Sequence, residues 1–144
     1  MNEETIQNMV RMGELRPRSP DKEKIKSLLE SIGINVKVTK AIPLTEDSAT
    51  VVFREMYESV RQLGDAKWWL LGYEPKYHET SIDILKEMNI RERFRLNFLV
   101  RFKKIRHDAN YRGFRVLAYQ AQEILDFWER CGKEILQILI KEAG

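Results

Sequence analysis

A chain of 144 residues is long enough to bury one hydrophobic core without disulfide or metal staples, and its single Cys131 excludes an internal disulfide framework. It is 33% charged in nearly balanced signs, with a formal net charge of +3, so the overall charge makes no case for a nucleic-acid partner. No apolar run approaches the roughly 18 residues of a membrane-spanning helix. The polar, acidic start Met-Asn-Glu-Glu-Thr does not read as a secretory leader, so the expectation is a cytoplasmic protein.

The elements follow in chain order. Ser19-Pro20-Asp21 reads as an N-cap, a proline at the first helical position and an acid favoured by the helix dipole. Ile25, Leu28, Leu29 and Ile32 then recur at helical spacing as far as Gly33. The alternation Ile34-Asn35-Val36-Lys37-Val38 resembles a strand with no partner, so 34–40 is expected as an extended linker ending near Pro43. A long helix runs from about Asp47 to Leu71 on Phe53, Met56, Tyr57, Val60, Leu63, Leu70 and Leu71, with Gly72 placed to end it. A turn around Pro75 leads to a short helix through Ile82, Leu85 and Met88, entered at Thr80 or Ser81, with His78 near its cap. Ile90, Phe94, Phe98, Val100 and Ile105 mark a basic helix broken at Gly113. Leu117, Ala121, Ile124, Trp128, Cys131, Ile135 and Ile138 carry a final helix to the C-terminus despite Gly132, with the Cys131 thiol on the buried stripe. Trp69 falls off the apolar stripe that holds Trp68, which makes it an interface candidate. The fold class expected is all-α: an antiparallel bundle of four main helices over 47–144, preceded by an N-terminal helix and linker over 1–46.

Charge distribution says more than net charge. Nine Arg and Lys residues fall between 91 and 115 against only Glu92 and Asp108. No glycine-rich phosphate loop, nucleophile elbow or metal-spaced Cys/His cluster is present, so no cofactor or metal is expected. On the basic helix, Arg106, His107 and Tyr111 come together with Arg101, Lys103, Lys104 and Arg112 within about three turns. Guanidinium supplies a fixed positive fork for a phosphodiester, and imidazole titrates close enough to neutrality to move a proton. The plain alternative is a solvated helix face whose cations pair with carboxylates elsewhere.

The string Arg-His-Asp-Ala-Asn-Tyr-Arg-Gly at 106–113, followed by a long amphipathic helix, resembles the end of many prokaryotic HEPN domains. The upstream Met56-Tyr57-Glu58-Ser59-Val60-Arg61, Gly72-Tyr73 and His78 are similar to that family's first long helix and its turn. Together these cover about 47–143. The resemblance implies an up-down helical bundle that dimerises, and often a metal-independent ribonuclease of toxin type controlled by a nucleotidyltransferase-like partner. The family's motif is an Arg, commonly followed by a polar residue, then four to six residues to a His. Arg101 with His107 satisfies the spacing, but Phe102 stands at the polar position. Arg106 with His107 satisfies the polar start, but Tyr111 stands where the final His would be. A tyrosine with an ordinary pKa near 10 is a poorer base at neutral pH than a histidine.

Two functional classes are therefore expected to compete. In the first, Arg106 stabilises charge on the phosphate oxygens, His107 takes the proton of the attacking 2′-hydroxyl, and Arg101, Lys103, Lys104 and Arg112 contact phosphates around them. In the second, the same cleft of a non-catalytic HEPN domain binds a nucleotide, an RNA or a protein partner such as a nucleotidyltransferase-like antitoxin. A homodimer is expected in either case; a purely structural dimer is the third reading.

Overall fold

Ile25, Leu29, Ile32, Val36 and Thr39 repeat at steps of four and three residues, and in the structure all five side chains are buried. The structure, a computed structural model, describes residues 1–144. Here the stretch expected as an extended linker is helical: α2 runs unbroken over Lys22–Lys40, through Gly33. The strand-like alternation misled because a short apolar run fits both periods. Ile34 and Val38 turn out to be exposed, while Val36 and Thr39 pack inward beside α3 (Ala49–Leu71), and the Thr39 hydroxyl donates to the Asn35 carbonyl at 2.7 Å. The cap is also displaced. Asp21, not Ser19, occupies the N-cap and its carboxylate accepts from the Lys24 amide at 3.1 Å, so Pro20 precedes the cap.

The first seventeen residues hold two elements that hydrophobic periodicity did not reveal: α1 (Glu3–Arg11), capped by Asn2, and β1 (Leu15–Pro17). β1 pairs antiparallel with β2 (Tyr73–Pro75), with Arg16 opposite Glu74, which ties the N-terminal segment to the end of α3. This two-stranded ribbon is the whole of the β-structure, and the fold is all-α.

The long central helix α3 packs against α2, α4, α6 and α7 and buries Val52, Phe53, Met56, Tyr57, Val60, Leu63 and Trp68. It ends where expected, at Gly72 in the left-handed region with φ 93°. The short third helix begins two residues earlier than Thr80: α4 covers His78–Asp83, with Tyr77 at the N-cap, and continues as a 3₁₀ turn over Ile84–Glu87. Trp68 buries its ring and donates its indole N–H to the Thr80 carbonyl at 2.7 Å, pinning α4 to α3.

The basic helix divides into a 3₁₀ segment, Arg93–Asn97, and α5, Phe98–Tyr111. Its inward face is Leu96, Leu99, Phe102 and Ala109, whereas Phe94 and Val100, expected on the apolar stripe, are exposed. Phe102 sets the register: its ring meets Phe53 edge-on at 6.1 Å and Phe127 at 5.4 Å, locking α5 onto α3 and α6. The final helix is continuous but not regular. α6 (Ala118–Phe127) passes through a π turn, Trp128–Gly132, into α7 (Lys133–Ala143). Gly132 lies under the Trp128 ring, where a Cβ would come within 2.4 Å, so the glycine accommodates the extra residue of the π turn. Cys131 is buried there, and burial pushes its thiol up to about 11. The residues of α1, β1 and α2 contribute to the same continuous core as those of α3 to α7. No helix is long and apolar enough to cross a membrane.

Candidate functional site

With Phe102 turned into the core, one face of α5 is left to solvent. Val100, Lys103, Lys104, His107 and Tyr111 recur along it at three- and four-residue steps, and all line one cleft of about 880 Å³. The rings of His107 and Tyr111, one turn apart, stand 4.9 Å centroid to centroid. Arg106 enters from the flank nearest α3, its guanidinium carbon 5.6 Å from the centre of the Tyr57 ring.

The opposite wall is built by α4 and the residue before it: Tyr77, His78, Glu79 and Asp83, with Glu14 from the turn that enters β1. The Glu14 carbonyl accepts from the Lys76 amide at 3.0 Å, so the β-ribbon holds this wall in place. The two walls carry opposite charge. Lys103 reaches across to Glu79 at 2.8 Å, and that pair lowers the carboxyl's proton affinity; Lys104 and Arg106 make no ion pair. Tyr57 contributes to the lining between the walls, and burial pushes its phenol up to about 12 against the pull of Arg106.

Behind the α4 wall lies a network that periodicity cannot show. Arg61 takes both oxygens of Glu58 and, at 2.8 Å, a carboxylate oxygen of Asp65. The other Asp65 oxygen accepts from the Ser81 hydroxyl at 2.5 Å. The Arg61 hydrogen bonds hold Glu58 below the usual carboxylate range, while burial raises Asp65 above it. His78 lines both the cleft and a smaller hollow that contains Arg61 and Asp65. Partial burial, with Arg61 and Arg106 next, pulls its imidazole below the ordinary 6.5.

Of the residues singled out from the sequence, Arg106, His107, Tyr111, Lys103 and Lys104 come together in the cleft. Arg101 and Arg112 do not. Arg101 lies on another face of α5, paired with Glu123 at 2.7 Å and lying over Phe98, while Arg112 sits over Phe114 with Asp108 at 4.0 Å. The basic run is therefore dispersed: Arg95 is held by Glu92, and Arg115 by the Asp47 carbonyl. The two motif placements also separate in space, since Phe102 is core and Arg101 points away, whereas Arg106, His107 and Tyr111 share the cleft. The residues missed were His78, Tyr57 and Tyr77. His78 carried one signal, since it is one of only two histidines in the chain.

Trp69, the expected interface candidate, is half-buried with the Lys24 ammonium 4.5 Å above its ring. No three His, Cys, Asp or Glu side chains converge as ligands for a metal ion would. Comparison of the chain with protein-family models, with curated proteins and with solved structures finds no match to any of them.

Proposed function

We propose that the cleft binds the phosphodiester backbone of RNA and cleaves it without a metal ion, as the resemblance to HEPN domains implies. The observation that carries this reading is the meeting, in one cleft, of Arg106, the unpaired Lys104 and both of the chain's histidines. Lys103 and Lys104 draw a phosphate to the α5 wall. Arg106 stabilises the charge that builds on the non-bridging oxygens, and imidazole moves the proton. The resemblance also carries a homodimer; a particle of only 17.1 kDa in light scattering at micromolar concentration would overturn it.

The test is incubation of the purified protein with mixed RNA in excess chelator. Wild type cleaves, and Arg106→Ala or His107→Ala slows cleavage by on the order of a hundredfold or more. Unchanged cleavage in both variants removes the mechanism. Tyr111, standing where the family's final His would be, favours a second reading: a non-catalytic HEPN domain that holds a nucleotide, an RNA or a nucleotidyltransferase-like partner in the same cleft. Binding of RNA by wild type without cleavage would select it.

A further inference from the structure

His78 and His107 enter the cleft from different elements, the first residue of α4 and the middle of α5. Neither imidazole is taken up by a protein hydrogen bond or ion pair, and both side chains are exposed where they line the cleft. Cleavage of RNA by its own 2′-hydroxyl needs two proton transfers, one from the attacking oxygen and one to the departing oxygen, and a single imidazole serves only one of them at a time. We propose that His78 and His107 form an acid–base pair across the cleft, His78 accepting the proton of the attacking 2′-hydroxyl and His107 delivering a proton to the departing 5′-oxygen. This rests on the ribonuclease reading above, and it moves the proton-accepting role from His107 to His78.

The division of roles follows from what surrounds His78. Arg61 from α3 and Arg106 from α5 face it as cations, Glu58 and Asp65 from α3 oppose them, and Glu74 of β2 lines the neighbouring hollow. The two carboxylates on α3 are already engaged by Arg61, so burial and the cations prevail and the ring is neutral at pH 7. A neutral imidazole is a base, so His78 takes the proton-accepting role and the cleft's other imidazole, His107, the delivering one. The O2′–P bond forms as the P–O5′ bond breaks; the 2′ proton passes to His78 and the His107 proton to O5′. The products are a 2′,3′-cyclic phosphate and a 5′-hydroxyl, and both rings return to their starting states by exchange with water. On this assignment one chain supplies both groups to one cleft.

The experiment compares the full-length wild type, His78→Asn and His107→Asn, in chelator, on an oligoribonucleotide and on uridine 3′-(4-nitrophenyl phosphate), whose leaving group departs without a proton. His78→Asn loses on the order of a hundredfold or more on both substrates. His107→Asn loses as much on RNA but stays within about tenfold of wild type on the nitrophenyl ester. Both side chains are exposed, so thermal midpoints by circular dichroism should match wild type; His78→Gln replaces His78→Asn if that variant does not fold. Wild-type cleavage by His78→Asn with His107→Asn inactive overturns the pair and leaves the ribonuclease reading standing. Rescue of His78→Asn rather than His107→Asn by the nitrophenyl ester overturns the assignment of roles. A wild type that cleaves neither substrate removes both proposals together.

Discussion

Gly64 of α3 lies directly against the backbone of Ser81 in α4: a Cβ on Gly64 would stand 1.8 Å from the Ser81 carbonyl oxygen. This contact lets α4 approach α3 closely enough for Ser81 to reach Asp65 at 2.5 Å and for the Trp68 indole to reach Thr80. His78, one turn before Ser81, takes its place at the cleft from the same approach.

Gly64→Ala should therefore destabilise the fold by about 3 kcal/mol, because backbone rather than a flexible side chain blocks the methyl group. It should also displace the His78 wall and abolish the RNA cleavage proposed for the cleft. Gly33→Ala is the control. It sits in mid-helix with nothing within 4 Å, and should stabilise by about 0.5 to 1 kcal/mol. Urea unfolding of the two variants beside wild type measures both.

Arg61→Met removes the partner of two partly buried carboxylates and should cost on the order of 3 kcal/mol, read from chemical denaturation. It should also raise the titration of His78, since Glu58 and Asp65 would then face that ring uncompensated; proton NMR of the imidazole reports this. In wild type, folding lowers the proton affinity of His78. The unfolded chain thus binds more protons in the window just below 6.5, and stability falls as pH drops through it. His78→Asn should flatten that limb.

Salt dependence separates the cations of the cleft from those that only share its helix. Lys104→Ala should weaken RNA binding and reduce the slope of log affinity against log salt by about 0.7 to 0.9. Arg101→Ala should leave the slope unchanged, because Arg101 faces Glu123 outside the cleft. Glu79→Gln should strengthen binding by releasing Lys103 from its 2.8 Å pair. Fluorescence anisotropy with a labelled oligoribonucleotide at several salt concentrations decides all three.

The Tyr57 phenol is held neutral by burial, with its pKa raised from 10.0 to about 12. The folded state therefore binds the phenolic proton more tightly, so this stabilisation is present below pH 10 and lost as pH rises from 10 to 12. Tyr57→Phe should show a smaller fall in urea midpoint than wild type across that range. An equal fall would mean that other groups set the alkaline limb.

The all-α class, the long helix ended by Gly72 and the grouping of Arg106, His107 and Tyr111 were legible in the sequence, because each rests on spacing along one helix. Spacing of that kind survives folding: residues three, four and seven apart share a face wherever the helix is placed. The stretch 34–40 was not legible. Its alternation and its 3.5-residue repeat compete in the same seven residues, and only the buried surface of α3 beside it chooses the helix.

The other wall of the cleft was decided by tertiary structure alone. His78 lies 29 positions before His107 in the chain, and nothing local relates them; they meet because Gly64 admits α4, Trp68 pins it and Phe102 turns α5. The same packing took Arg101 out of the site, since Phe102 inward leaves Arg101 facing Glu123. Charge written along a chain is one-dimensional, and a cluster of nine basic residues within 25 positions divides among several faces once a helix forms. Which of those faces meets a second wall is set by long-range packing of apolar side chains, and that is information no window of the sequence contains.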